Sequence, residues 1–295
     1  MFTGAVSFAQ QDSQYTQYMY NTININPGYA GSRGAMSLFL LHRSQWVNYS
    51  GTGAPVTNAV SLNTPINDTN LGVGLSFVND RIGPTEENAI SVDVSYTIPV
   101  SESYKLSFGI KGTGNFFNLD NSELNPVDQS DPALQSVSKF TPNIGAGVYL
   151  HSGKGYVGLS VPNFIQNSTK YNDNDVAVYT EEINYYLIGG YVFDLGSNLK
   201  FKPAAMAKLI QGAPLQVDVS ANFMFFDRLV VGAAYRWDAA VSALVGFQIT
   251  DGLYAGYGYD HETTKLQNYN SGSHEIFLRF ELFNNYNKII SPRFF

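Results

Sequence analysis

Apolar and polar residues alternate along most of this chain. Across 215–225 the odd positions are Leu215, Val217, Val219, Ala221, Phe223 and Phe225, and Gln216, Asp218, Ser220 and Asn222 lie between them. Successive strand residues point to opposite faces, so a period of two predicts a strand with one apolar and one polar side. The same pattern predicts strands over 34–43, 54–64, 71–79, 88–98, 104–115, 142–150, 154–161, 182–193, 199–209, 214–225, 228–237, 241–249, 253–261 and 273–283. Ile90, Val92, Val94 and Tyr96 oppose Ser91, Asp93 and Ser95. Tyr104, Leu106, Phe108 and Ile110 oppose Lys105, Ser107, Gly109 and Lys111, and Ile276, Leu278, Phe280 and Leu282 oppose Glu275, Arg279 and Glu281. No capped segment of 3.6-residue period predicts a substantial helix.

A soluble sandwich would show the same alternation with its apolar face inward, so loop lengths must decide. Connections after even-numbered runs are short: 64–70, 99–103, 151–153, 194–198, 226–227 and 250–252. Those after odd-numbered runs include every long one: 43–53, 79–87, 116–141, 162–181 and 262–272; only 211–213 and 238–240 are tight. Short turns on one rim and long loops on the other is the plan of an outer-membrane barrel. The expected fold is therefore an all-β, transmembrane, antiparallel β-barrel of about 14 strands, with both termini periplasmic. Its apolar rows face lipid, and its polar rows face the lumen. The backbone must close on itself, because hydrocarbon offers no hydrogen-bond partner. Tyr104, Tyr149, Tyr185, Tyr191, Tyr235, Trp237 and Tyr254 lie near strand ends and are the expected aromatic girdles.

Composition agrees. Charged residues make up 14% of the 295, against about 25% in an ordinary soluble domain. A net charge of −7 argues against nucleic acid, whose binders gain affinity through Lys and Arg. The absence of cysteine removes disulfides and thiolate metal sites. Phe2 to Ala9 reads as the end of a signal peptide, with small residues at Ser7 and Ala9 before a cut at Gln10. The expected organisation is a signal-peptide remnant at 1–9, a periplasmic or plug segment at 10–33, the barrel at 34–283 and a periplasmic tail at 284–295. A barrel this wide has a lumen that wall side chains alone do not fill; 10–33 and the loop 116–141 are the candidates to block it.

Several stretches resemble the PorP/SprF family of outer-membrane proteins associated with type IX secretion and gliding motility. They are QYTQYMYN (14–21), NPGYAGSRG (26–34), HRSQWVNYSGTGAPVT (42–57), GVGLSFVNDRIGP (72–84), GYGYDHET (256–263), GSHEIFLRFEL (272–282) and the terminal SPRFF. The resemblance spans nearly the whole chain, with 116–182 giving little to match. It implies a non-enzymatic component of the secretion machinery in a Gram-negative outer membrane, one that helps secrete or anchor large surface proteins such as adhesins. It also implies an OmpA-like, peptidoglycan-binding periplasmic partner. The alternative is a diffusion porin or small-molecule transporter of the same architecture.

Candidate sites follow. The resemblance concentrates on the first two long loops, so Arg43, Gln45, Trp46, Asn79, Asp80, Gly83 and Pro84 are expected to dock cargo or machinery. Phe294 and Phe295 could serve assembly or partner docking. Asp260, His261, His274 and Glu275 on the last two strands are expected to form a rim network, which outweighs a metal or acid–base site. Asp173, Asp175, Glu181 and Glu182 carry alternate oxygen ligands that suit calcium. They lack the turn glycine and terminal glutamate spacing of a dedicated loop, so a solvated acidic loop is preferred. No cofactor and no catalytic set are expected.

Overall fold

The computed structural model describes residues 15–49, 53–120, 136–170 and 177–282. The predicted remnant at 1–9 and the tail at 284–295, with Phe294 and Phe295, lie outside them. The strands are β1 (Met36–Ser44), β2 (Val56–Pro65), β3 (Leu71–Ile82), β4 (Thr85–Pro99), β5 (Lys105–Leu119), β6 (Val137–His151) and β7 (Gly155–Val161). A small separate hairpin, β8 (Ser168–Lys170) and β9 (Ala177–Thr180), follows. Then come β10 (Asn184–Tyr191), β11 (Phe193–Asp194), β12 (Leu199–Ile210), β13 (Gln216–Phe225), β14 (Leu229–Arg236), β15 (Ala240–Gln248), β16 (Leu253–Glu262) and β17 (Ser273–Leu282).

β1 to β7 and β12 to β17 each pair antiparallel with the next strand in sequence. β7 pairs with β10, β10 with β12, and β1 closes on β17 from Met36↔Leu282 to Ser44↔His274. With β10 and β11 counted as one staircase, the result is a closed antiparallel barrel of 14 strands. All the predicted runs are barrel strands. Among the described residues the helical pieces are short: α1 (Thr22–Ile25) and two 3-10 turns, Pro27–Tyr29 and Lys265–Asn268.

The faces are those of a molecule dissolved in lipid. On β4, Val92 is 53% exposed while its neighbour Asp93 is 0% exposed. Ile110 is 65% exposed against 4% for Lys111, and Phe223 is exposed while Asp218 and Asn222 are buried. Tyr104, Tyr185, Tyr191, Tyr235 and Trp237 point outward near the strand ends, as expected of girdles. Tyr149 and Tyr254 do not. Each is 1% exposed, because its parity along β6 or β16 turns the ring into the lumen.

The loops depart from expectation on one side. The predicted loop 79–87 is mostly strand, because β3 and β4 run on to a turn at Gly83-Pro84 with Gly83 at φ +56°. β5 and β6 likewise extend into the predicted loop 116–141. At about 3.4 Å per residue, the 15-residue strands β4, β5 and β6 are longer than the roughly 10 residues that cross a bilayer. Their excess lies at the long-loop rim, where outward positions turn polar: Arg81, Glu86, Asn88, Asn118 and Ser138. An outward ladder marks the boundary: His42 Nδ1 lies 2.8 Å from Asn58 Oδ1, Asn58 donates to Asn79 Oδ1, and Asn79 donates to Asn88 Oδ1 at 2.9 Å. Across the barrel, the same rim is closed by tight turns between β12 and β13, with Gly212 at φ +82°, and between β14 and β15, with Asp238 at φ 53°. One wall therefore stands above the other.

Candidate functional site

The barrel interior is occupied by its own N-terminal segment. Residues 15–31 fill the lumen between the long-loop end, where Thr16 meets Glu275, and the short-turn rim, where Ala30 meets Ser95 and the chain enters β1. Tyr15, Thr16, Gln17, Tyr18, Met19, Tyr20, Ile23, Asn26 and Tyr29 are all buried. The local sequence explains the path. Asn26 is extended and its Oδ1 accepts from Gly28 N at 2.9 Å, so it ends α1 and starts the next turn, with Pro27 at the first position.

The upper end is held by charge. Thr16 and Gln17 N–H donate to the Glu275 carboxylate at 3.0 and 2.9 Å. Arg43 bridges Glu275 at 3.1 Å and Asp260 at 2.7 Å, and Thr16 Oγ1 reaches Asp260 at 2.5 Å. Arg236 pairs with Asp218 at 2.6 Å and donates to Tyr15 O at 3.5 Å. These groups are 0–8% exposed. Removing one partner of a pair buried this deeply strands a charge and costs about 3–5 kcal/mol.

Toward the short-turn rim of β16 and β17 the contacts are aromatic and cationic. Tyr20 stacks 5.5 Å from Tyr254 and 4.7 Å from Phe277, and its hydroxyl lies 3.1 Å from that of Tyr254. Arg279 sits 4.8 Å from the centre of the Tyr254 ring, and Lys202 Nζ sits 5.4 Å from that of Tyr20, within cation–π reach. On the β4 to β7 wall, Ser160 Oγ donates to Ile25 O and Ser95 Oγ to Ala30 O, both at 2.7 Å, and Asn26 Nδ2 donates to Val148 O. Gly109 and Gly72 admit the segment: a Cβ at Gly109 would overlap the Pro27–Gly28 backbone, and one at Gly72 would strike Ala30 O. Such close backbone approach is why glycine occupies a strand interior. At the bottom Arg33 pairs with Glu281, which also lies 3.4 Å from Arg279.

The predicted site residues divide by strand parity. Arg43 is 2% exposed and belongs to the lumen, so it cannot be the loop-surface contact expected of it. Gln45 and Trp46 do lie in the loop after β1, where Val47 N donates to Gly272 O and joins this loop to the one before β17. Asn79 and Asp80 are strand residues with opposite orientations: Asn79 joins the outward ladder and Asp80 faces the lumen, accepting from Thr57 at 2.5 Å. Gly83 and Pro84 form the tip of the tall wall. Asp260 and Glu275 meet through Arg43. His261 and His274 point outward, and His274 bonds the Tyr257 hydroxyl at 2.6 Å. The four therefore form no single network. Glu181 is gripped by amides rather than poised as a calcium ligand, with Asn115 at 2.8 Å, Asn167 at 2.8 Å and Asn143 at 3.2 Å. Arg33, Lys202, Arg236, Arg279, Ser95 and Ser160 were not singled out from sequence. Their signal was inward parity on strands already assigned.

An apolar exterior, a polar interior and closure without a free edge define an outer-membrane β-barrel protein of a Gram-negative bacterium. Within that class, residues 7–280 match the family model for the type IX secretion system membrane protein PorP/SprF, and the chain belongs to this family. It is thus a membrane component of type IX secretion, a role that entails association with other components of that system. Among solved structures, the toluene transporter TbuX of Ralstonia pickettii is similar at 9% identity and TM-score 0.52, covering 90% of this chain and 92% of its own. The CymD monoaromatic hydrocarbon channel is similar at 10% identity and TM-score 0.51, covering 92% and 94%. These likenesses extend to the fold alone. No curated protein matches the chain.

Proposed function

We propose that this protein is a non-enzymatic barrel whose lumen is closed by its own N-terminal segment, and that it serves type IX secretion as a membrane scaffold. The single observation behind this reading is the buried path of residues 15–31 down the lumen, tied to the wall from Glu275 at one end to Ser95 at the other. A diffusion porin needs a water-filled passage there. Membership of the family supports the secretion half of the reading.

In this reading the short-turn rim faces the periplasm, and the tall wall of β3 to β6 faces outward. The loop carrying Gln45 and Trp46 and the Gly83-Pro84 tip meet cargo or translocon, and the segment beyond β17, with Phe294 and Phe295, serves assembly or docking. Cargo would be large surface proteins of the adhesin or gliding type. The periplasmic partner would be an OmpA-like, peptidoglycan-binding protein.

Purification from outer membranes in mild detergent, followed by proteomics, tests this. The expected result is co-recovery of secretion components, a peptidoglycan-binding protein and at least one large secreted protein. Recovery of the barrel alone, with normal surface proteins after deletion of its gene, would contradict the scaffold role.

A further inference from the structure

On the outer face of β5, β6, β7 and β10, near the short-turn rim, lies a groove of about 330 Å³. Gly155 and Gly190 form its floor. Tyr104 and Leu150 bound it on one side, Tyr191 bounds it on the other, and Val157 closes it toward the middle of the strand. Tyr104, Val157 and Tyr191 are all exposed, so the groove opens to lipid and not to the lumen. Its side chains are apolar apart from the tyrosine hydroxyls.

Strand register makes the gap. Gly155 stands opposite Tyr191, and Gly189 stands opposite Val157. All four hold outward positions, where a lipid-facing strand ordinarily carries bulky apolar side chains. Gly72 and Gly109 are glycine because backbone crowds them. Gly189 is not crowded: a Cβ there would meet nothing closer than 3.5 Å. The omitted side chain leaves a hollow in a wall that gains its contacts by packing against hydrocarbon.

The rim end of the groove is charged. Lys154 directly precedes Gly155, and its Nζ lies 2.6 Å from Asp194. Val192 N donates to Lys154 O at 2.9 Å, which brings the two chain segments together. Lys200 stands in register with Asp194 and pairs with Asp227. These four residues carry two charges of each sign. The Lys154 and Asp194 side chains are 49% and 43% exposed. An ammonium has three donors and a carboxylate about four acceptor sites, so each keeps capacity for a second partner.

We infer that this groove is a binding site for one zwitterionic glycerophospholipid, with an acyl chain in the hollow and a phosphoethanolamine head on the rim pair. Lys154 takes the phosphate, and Asp194 takes the terminal ammonium. Tyr104 and Tyr191 set their rings against the chain and their hydroxyls at headgroup depth, as interfacial tyrosines do. A head that is anionic alone lacks a cation for Asp194 and loses that contact. The site stands apart from the secretion reading, since it rests on the lipid-facing wall only.

Native mass spectrometry of the full chain tests this, with release from micelles that hold equal amounts of palmitoyl-oleoyl phosphatidylethanolamine and phosphatidylglycerol. The parent should retain one lipid and favour the ethanolamine head about fivefold, the effect of one charge at a membrane surface. Gly189→Leu, which sets a side chain beside Val157 at the border of the groove, should remove most of the retained lipid. Lys154→Ala with Asp194→Ala should still retain lipid but lose the preference between heads. Val241→Ala, on a distant part of the lipid-facing wall, should match the parent. Heat-modifiable gel mobility confirms that each variant is folded, and the head preference of the parent needs no variant. Equal retention of the two lipids by the parent, no retained lipid, or the same retention by Gly189→Leu as by the parent would overturn the proposal.

Discussion

Replacing Glu275 by Gln tests the upper anchor of the lumenal segment. The carboxylate is 0% exposed and accepts from Thr16 N, Gln17 N and Arg43. The amide keeps one acceptor oxygen but turns an NH₂ group toward donors, so at least one charge-assisted bond is lost and Arg43 keeps only Asp260 as its anionic partner. Hydrogen bonds to charged groups contribute about 1.5–3 kcal/mol each, and disrupting a buried pair costs about 3–5 kcal/mol. Taking about 3 kcal/mol as the effect, and about 1.4 kcal/mol per factor of ten, local release of residues 15–25 becomes roughly a hundred times more frequent. The chain has no cysteine, so Thr22→Cys, at a position 1% exposed, gives a single reporter. Maleimide labelling of Thr22→Cys in folded barrels should accelerate about a hundredfold when Glu275→Gln is added. A rate within twofold of the parent would refute the claim that this carboxylate holds the segment.

Three further outcomes follow from the geometry. Val94→Arg, in the middle of the outward apolar run of β4, should destabilise the barrel in bilayers by about 2–4 kcal/mol, whereas Asn88→Arg above that run should cost no more than about 1 kcal/mol; urea unfolding from liposomes reads both. Gly109→Ala places a methyl group against Pro27–Gly28; it should cost about 1–3 kcal/mol through overpacking and raise labelling of a cysteine placed at Tyr29. Lys154 bonds Asp194 at 2.6 Å at the short-turn rim, which lowers the Asp194 carboxyl from its ordinary range and raises the lysine. Any stability from Asp194 is therefore present above the ordinary carboxylate range and fades as pH falls through its depressed value. An NMR titration should show the Asp194 midpoint rising in Lys154→Ala.

The barrel itself was legible because both of its solvents write on the chain. Lipid demands apolar residues at every second position, and a wet lumen permits Ser91, Asp93 and Ser95 between them. Loop 79–87 misled because β3 and β4 leave the bilayer there. Asn79 and Asn88 then face water from the outward side, and the alternation that marks a strand disappears. Arg43 misled for a related reason: a charged residue near a strand end reads as loop until parity turns it inward. The partners of the N-terminal segment were not legible. Thr16 meets Asp260 and Glu275 across more than 240 positions, and no local pattern carries such a pairing. The plug candidate at 10–33 could be named from lumen width alone, but not its direction of travel or its anchors.

The central claim is that the N-terminal segment closes the lumen of this barrel. Single-channel recording in planar bilayers tests it most directly, by comparing the intact chain with one lacking residues 10–33 after both have been shown to fold. The account predicts almost no steady conductance from the intact barrel and large, stable openings from the truncated one. Stable open channels from the intact protein, unchanged by the truncation, would contradict it.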